Sequence, residues 1–144
     1  MAVRIKLKIR AKSSDKEVLS TALVNSGFET EKPQLLIPRR LAEEIGLWPP
    51  PPNSSLIELG TAGGPVRNYL VPDELEVSAV TNDKVVGPVT CDAIISHIEE
   101  EVLINDKLGD ALGIVILRLG AGYWRFADDS PDVSRKSESP KYWT

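Results

Sequence analysis

The sequence predicts a mostly-β domain with a closed or barrel-like sheet and one or two short helices. Three observations carry that expectation. Apolar and charged residues alternate strictly near the start. Further short apolar runs are separated by Gly, Pro, Asn and Asp turn signals, and only two stretches space their apolar residues as a helix does. With 144 residues, 42% of them hydrophobic, the chain suits one domain able to bury a core.

Residues 3–11 place Val3, Ile5, Leu7, Ile9 and Ala11 on one side and Arg4, Lys6, Lys8 and Arg10 on the other, the period of a strand. The basic side reads as a solvent face whose lysines discourage edge pairing. A turn at residues 13–16 leads into a second strand at 17–24, in which Ala22, Leu23 and Val24 run into Asn25, Ser26 and Gly27. Gly27 can take backbone angles closed to other residues, so a tight reversal is expected there.

Pro38 can open a helix, Leu41, Ala42 and Ile45 share one face of it, and Gly46 suits its end. Trp48 and the prolines at 49–52 read as a stiff spacer. Strands at 55–59 and 66–71 are joined through Gly60, Thr61, Ala62, Gly63, Gly64 and Pro65, a hairpin with a glycine-rich tip. No Lys-Ser/Thr and no helix follows the tip, which excludes a phosphate cradle. It is either a flap over a groove or a plain exposed hairpin.

Strands at 74–80 and 84–95 flank a turn at 81–83, and residues 102–104 form a compact apolar run. Asp106 can cap a short helix that ends before Gly113. Residues 114–119 read as a buried strand, and Gly120, Ala121 and Gly122 turn the chain into 123–126. From Ala127 onward charge, Ser and Pro dominate. The expected organisation is therefore a β domain over residues 1–126 and a flexible C-terminal tail over 127–144.

The net charge of −4 and sequence pI near 5.1 argue against a nucleic-acid partner held through phosphates. Cys91 has no second cysteine to pair with, so a reducing compartment is the simplest assumption. No apolar run reaches the roughly 18–20 residues of a bilayer crossing. The first residues alternate in charge where a secretion signal would be apolar. The expectation is a cytoplasmic protein without a membrane partner. No His/Cys/carboxylate group has metal-ligand spacing, and neither a metal nor another cofactor is expected.

Leu23-Val24-Asn25-Ser26-Gly27 resembles the Leu-Val-Asp-Thr-Gly signature of retropepsin-like aspartic proteases, in the single-domain form found in prokaryotes. The likeness extends through Leu36-Ile37-Pro38, residues 41–47, the glycine-rich hairpin and residues 101–108, and covers roughly residues 3–126. It implies a retropepsin-type acid protease fold and a C2 homodimer in which each chain lends one turn to a shared site. Asn25, Ser26 and Gly27 would be the catalytic positions. Phe28, Glu29, Gly60, Thr61, Ala62, Gly63 and Gly64 would hold a peptide or protein substrate beneath two flaps. Ser26 would hydrogen-bond across the axis.

One departure bears on the chemistry. Aspartic proteolysis needs two carboxylates about 3 Å apart that share a proton, one acting as base and one as acid. Here the acid position holds Asn25. A carboxamide is nearly isosteric with the acid, but it is no base near neutral pH. Loss of general-base catalysis costs about 10² to 10⁴ in rate. Deamidation of Asn25, next to the small Ser26, is one route to an acid. A second departure places neutral Asn105 where the family has a basic residue bracing an acidic one, the place matched by Glu29.

Asp92, Asp106 and Asp110 are the other acids worth weighing, and structural roles account for them; so they do for the single histidine, His97. Two functions follow from the resemblance: an aspartic-type endopeptidase, or a non-catalytic homodimer that holds an extended segment by strand addition. A structural dimer without a ligand is the third option.

Overall fold

A computed structural model describes residues 2–25 and 28–144. Among the described residues the chain is mostly β, 50% strand and 9% helix, with two short helices and a closed barrel of six strands. In order the elements are β1 (Arg4–Ala11), β2 (Glu17–Val24), β3 (Gln34–Pro38), α1 (Arg39–Glu44), β4 (Ser55–Thr61) and β5 (Gly64–Val80). They continue with β6 (Val85–Ser96), β7 (Val102–Ile104), α2 (Asp106–Ala111), β8 (Ile114–Arg118), β9 (Tyr123–Phe126) and β10 (Arg135–Lys136).

The barrel follows from the pairing order β1-β2-β7-β3-β6-β5, closed by β1 against β5. β1 bonds to β2 from Arg4↔Leu23 to Arg10↔Glu17, and to β5 from Leu7↔Ala79 to Ala11↔Leu75. Its alternation is realised as expected: Ile5, Leu7, Ile9 and Ala11 are fully buried. Each large apolar side chain so buried is worth about 1.5–3 kcal/mol. The half-exposed Lys8–Glu17 ion pair on the other face is worth at most about 1 kcal/mol. Apolar burial therefore fixes the register of β1. Because β1 is bonded on both sides from Leu7 to Ala11, Lys8 protects no sheet edge, which corrects that part of the sequence reading.

Two strands adjacent in sequence, β2 and β3, do not pair. β7 lies between them, parallel to β2 (Val24↔Ile104) and antiparallel to β3 (Leu36↔Leu103). The loop after β2 thus sits above a short strand contributed from far along the chain. β3 is buried throughout, paired on its other side with β6, and Pro38 passes directly into α1, which buries Leu41 and Ala42. Gly46 follows at φ +77°, a backbone only glycine takes readily. Trp48 then packs edge-to-face on Tyr69 at 5.8 Å, so the proline spacer starts from an anchored residue.

The hairpin β4–β5 projects beyond the barrel, since β4 pairs with β5 alone. Its ladder runs to Thr61↔Gly64, leaving Ala62 and Gly63 as the whole turn. The tip is tighter than the six-residue connection expected from sequence. β5 is also one strand of 17 residues where two were expected. An irregularity between Val71 and Leu75, with Asp73 at φ +50°, absorbs Pro72 without ending the strand.

β8, β9 and β10 form a separate three-stranded sheet. β8 was expected to be buried; instead Ile116 and Leu117 are exposed, because β8 is an edge strand of this sheet. The segment 127–144 makes specific contacts. Arg135 bridges Asp83 and Asp129, Glu138 N–H donates to the Arg4 carbonyl at 2.8 Å, and Trp143 Nε1 donates to Ser20 Oγ at 3.0 Å. No helix among the described residues is long and apolar enough to cross a membrane.

Candidate functional site

The groove begins with the backbone after β2. Asn25 N–H donates to the Ile104 carbonyl at 3.1 Å, one step past the β2–β7 ladder, and Phe28 N–H donates to the Asn25 carbonyl at 3.1 Å. The Phe28 carbonyl in turn accepts from Asp106 N–H at 3.1 Å. Asn25 and Phe28 are thereby tied to the end of β7 and the start of α2. Ser26 and Gly27, the other two predicted catalytic positions, lie outside the described residues.

Asn105 holds this arrangement from beneath. It is fully buried, and its side-chain oxygen accepts from Gln34 N–H and Leu108 N–H, both at 2.9 Å. Its amide nitrogen donates to Thr30 Oγ1 and the Lys32 carbonyl, both at 2.8 Å. All four hydrogen-bonding capacities of the carboxamide are used. Asn105 is the N-cap of α2, the role sequence reading gave to Asp106, which is the first helical residue. The position is a neutral clamp on the loop, and Glu29 is exposed, not braced by it.

Over this base lies a groove of about 590 Å³. Asn25, Phe28, Glu29, Gly60, Thr61 and Ala62 line it together with Leu36, Leu59, Glu99 and Leu103. Six of the predicted residues, drawn from two separate stretches, therefore meet at one concavity. Gly63 and Gly64 complete the hairpin tip but are not among the lining residues. The apolar floor belongs to a small cluster of Phe28, Leu36 and Ile94 with Ile57, Leu59, Leu70 and Leu103 around it, distinct from the barrel core.

Sequence reasoning missed Leu36, Leu59, Leu103 and Glu99 as lining residues. Leu36 and Leu103 are cross-strand partners, a relationship visible only once β7 is placed between β2 and β3. Glu99 follows β6, its N–H donating to Ser96 Oγ at 3.0 Å. No local signal marks it.

The other acids have structural partners or none at the groove. Asp92 is buried and accepts from Lys32 Nζ at 2.8 Å, Asp73 N–H at 2.9 Å and Gln34 Nε2 at 3.0 Å. Burial works against its ionisation, but these three donors together hold its carboxyl below the usual range. Asp106, Asp110 and His97 do not line the groove. Cys91 is buried, and desolvation, helped by Asp92 and Asp73, pushes its thiol up to about 12, which removes it as a nucleophile. Among the described residues no His/Cys/carboxylate group could hold a metal ion.

Chemically, the groove presents one carboxamide that can both donate and accept, an apolar floor and two carboxylates. Glu29 and Glu99 are exposed, and neither carboxylate has a hydrogen-bond or ion-pair partner among the described residues. Neither is held at a fixed point, as a general base has to be. Compared with models of known protein families and with curated proteins, the sequence finds no match.

Proposed function

We propose that the chain is a retropepsin-like homodimer with the site architecture of an aspartic endopeptidase, and that with Asn25 it grips an extended polypeptide segment without cutting it. The observation that carries this reading is the shared groove: Asn25, Phe28 and Glu29 on one side and Gly60, Thr61 and Ala62 of the hairpin on the other. A concavity with an apolar floor and a few polar groups is the usual form of a binding site. Asn25 offers a donor and an acceptor to a peptide group, as backbone recognition of an extended segment requires.

A twofold axis bringing two Asn25 residues together would create no like-charge repulsion, so that contact itself carries no carboxylate titration. The same pairing with aspartate would supply the acid and base that hydrolysis needs. The test is cleavage of a denatured protein by the chain and by Asn25→Asp, together with sedimentation of both. The expected result is a dimer in each case, peptide binding by the first and cutting by the second. A chain that stays monomeric at high concentration and binds no peptide refutes the proposal. Cutting by the first with Asn25 intact by mass would make it an active endopeptidase of another mechanism; cutting that tracks with conversion of Asn25 to aspartate would make deamidation the activating step.

A further inference from the structure

We infer that the groove selects extended segments that pair apolar with cationic side chains, so that the ligand is a lysine- or arginine-bearing polypeptide. This rests on the peptide-binding reading above and adds the chemical class of the peptide.

The charge lining the groove has one sign, although Glu99 also borders a second cavity with Arg39 and Arg40. Glu29 and Glu99 are the only ionisable residues among those lining the groove. Several cations near them in sequence have carboxylate partners of their own, and Lys107, exposed on α2, does not line the groove. Lys32 bonds to Asp92 at 2.8 Å and Asp73 at 3.3 Å. Arg39 and Arg40 both reach Glu43, at 3.2 and 3.3 Å. The Arg4 guanidinium is bound to Glu101. The one cation on the hairpin arms, Arg67, pairs with Glu58 at 3.7 Å. Strand alternation sets that pair on the face opposite Ile57 and Leu59, away from the apolar floor.

Neither carboxylate has an ion-pair partner among the described residues, and both lie beside a floor of Phe28, Leu36, Leu59 and Leu103. An extended chain sends successive side chains to opposite sides. A segment with apolar residues turned to the floor and cationic residues turned to the rim satisfies both features. Anionic segments meet two carboxylates at close range, and like-charge juxtaposition disfavours wrong partners strongly. In the proposed dimer the number of rim carboxylates doubles, while the net charge of −4 per chain adds a long-range pull on cationic ligands.

The experiment is fluorescence anisotropy with three short labelled peptides of equal length, alternating leucine with lysine, glutamine or glutamate. They are titrated into the full chain, into Glu29→Gln/Glu99→Gln, and into Glu44→Gln/Asp110→Asn, which removes the same charge from exposed positions outside the groove. At about 50 mM salt the lysine peptide should bind roughly tenfold or more tighter than the glutamate peptide, and the ratio should shrink at about 0.5 M salt. The groove variant should bring the ratio to within about twofold, with the control variant close to the unaltered chain.

Equal binding of lysine and glutamate peptides overturns the inference while leaving peptide binding intact. So does a preference that survives the groove variant, or one that the control variant abolishes as fully. Failure of all three peptides to bind removes the peptide reading itself, and the inference with it. Unchanged melting of the groove variant shows that a lost preference is not a lost fold.

Discussion

The carboxamide of Asn105 donates to the Lys32 carbonyl at 2.8 Å, joining the loop that follows Asn25 to the first turn of α2 across 73 residues of sequence. Replacing Asn105 by Ala removes the helix cap and leaves Gln34 N–H and Leu108 N–H without their acceptor in a buried site, while the Lys32 carbonyl keeps Thr30 Oγ1. The expected cost is about 3 kcal/mol, above the roughly 1 kcal/mol of an exposed cap. Urea denaturation measures it. A loss under about 1 kcal/mol would mean the loop is held by other contacts.

Acid should weaken the fold through Asp92. Its folded-state pKa lies below that of the unfolded chain, so its bonds contribute above the unfolded value of about 3.9 and are lost as pH falls through the lower folded value. Asp83, drawn down to about 2 chiefly by Arg135, titrates in the same direction, as does Asp129 under the same guanidinium. Stability should be level from pH 7 to near 4.5 and fall below it. Asp92→Asn should be less stable at pH 7 and show a shallower acid limb. An unchanged limb would remove Asp92 from the account.

The hairpin tip distinguishes two glycines. Gly64 sits at φ +109°, where a side chain is strained, whereas a Cβ on Gly60 would meet nothing within 4 Å. Gly64→Ala should cost about 1–2 kcal/mol locally and Gly60→Ala nearly nothing. Amide exchange of residues 59–66 in the two variants reads the difference, and equal protection would contradict it.

The last residues are tested by Trp143. Its ring is half-buried against the core, its indole N–H donates to Ser20 Oγ, and its backbone N–H donates to the Glu100 carbonyl at 2.7 Å. Trp143→Ala should lower stability by about 2 kcal/mol, less than the 3–5 kcal/mol of a wholly buried tryptophan. Indole fluorescence gives an independent reading: if Trp143 were already in water, its deletion would remove red-shifted emission and leave stability unmoved.

Strands whose pattern is local were legible in the sequence. β1 and β2 begin and end close to where alternation and turn residues put them, and α1 starts at Arg39, directly after the Pro38 expected to open it, which is its N-cap and the last residue of β3. What depended on distant partners was not legible. Pro72 and Asp73 read as the end of a strand because nothing local reveals that β6 continues alongside both halves of β5. The apolar run at 114–119 reads as buried, since composition does not tell an outer strand from an inner one. Likewise Asn105 and Asp106 are equally good caps by residue type. Only the four groups converging on Asn105 decide between them. For the site, the motif and the glycine-rich hairpin pointed to two stretches, and the fold brings them together. Glu99 carries no pattern at all, and tertiary proximity alone makes it part of the rim.

β5 serves two structures at once. Its first residues are one arm of the hairpin whose other arm and turn line the groove, and its last are the seam that closes the barrel against β1. A single covalent ribbon thus spans from the place a ligand would press to the joint that keeps the wall sealed. Occupancy of the groove should then be felt as slower hydrogen exchange at Leu75 to Ala79, far from any contact with the guest, with the kink at Asp73 setting how much of that tension is passed on.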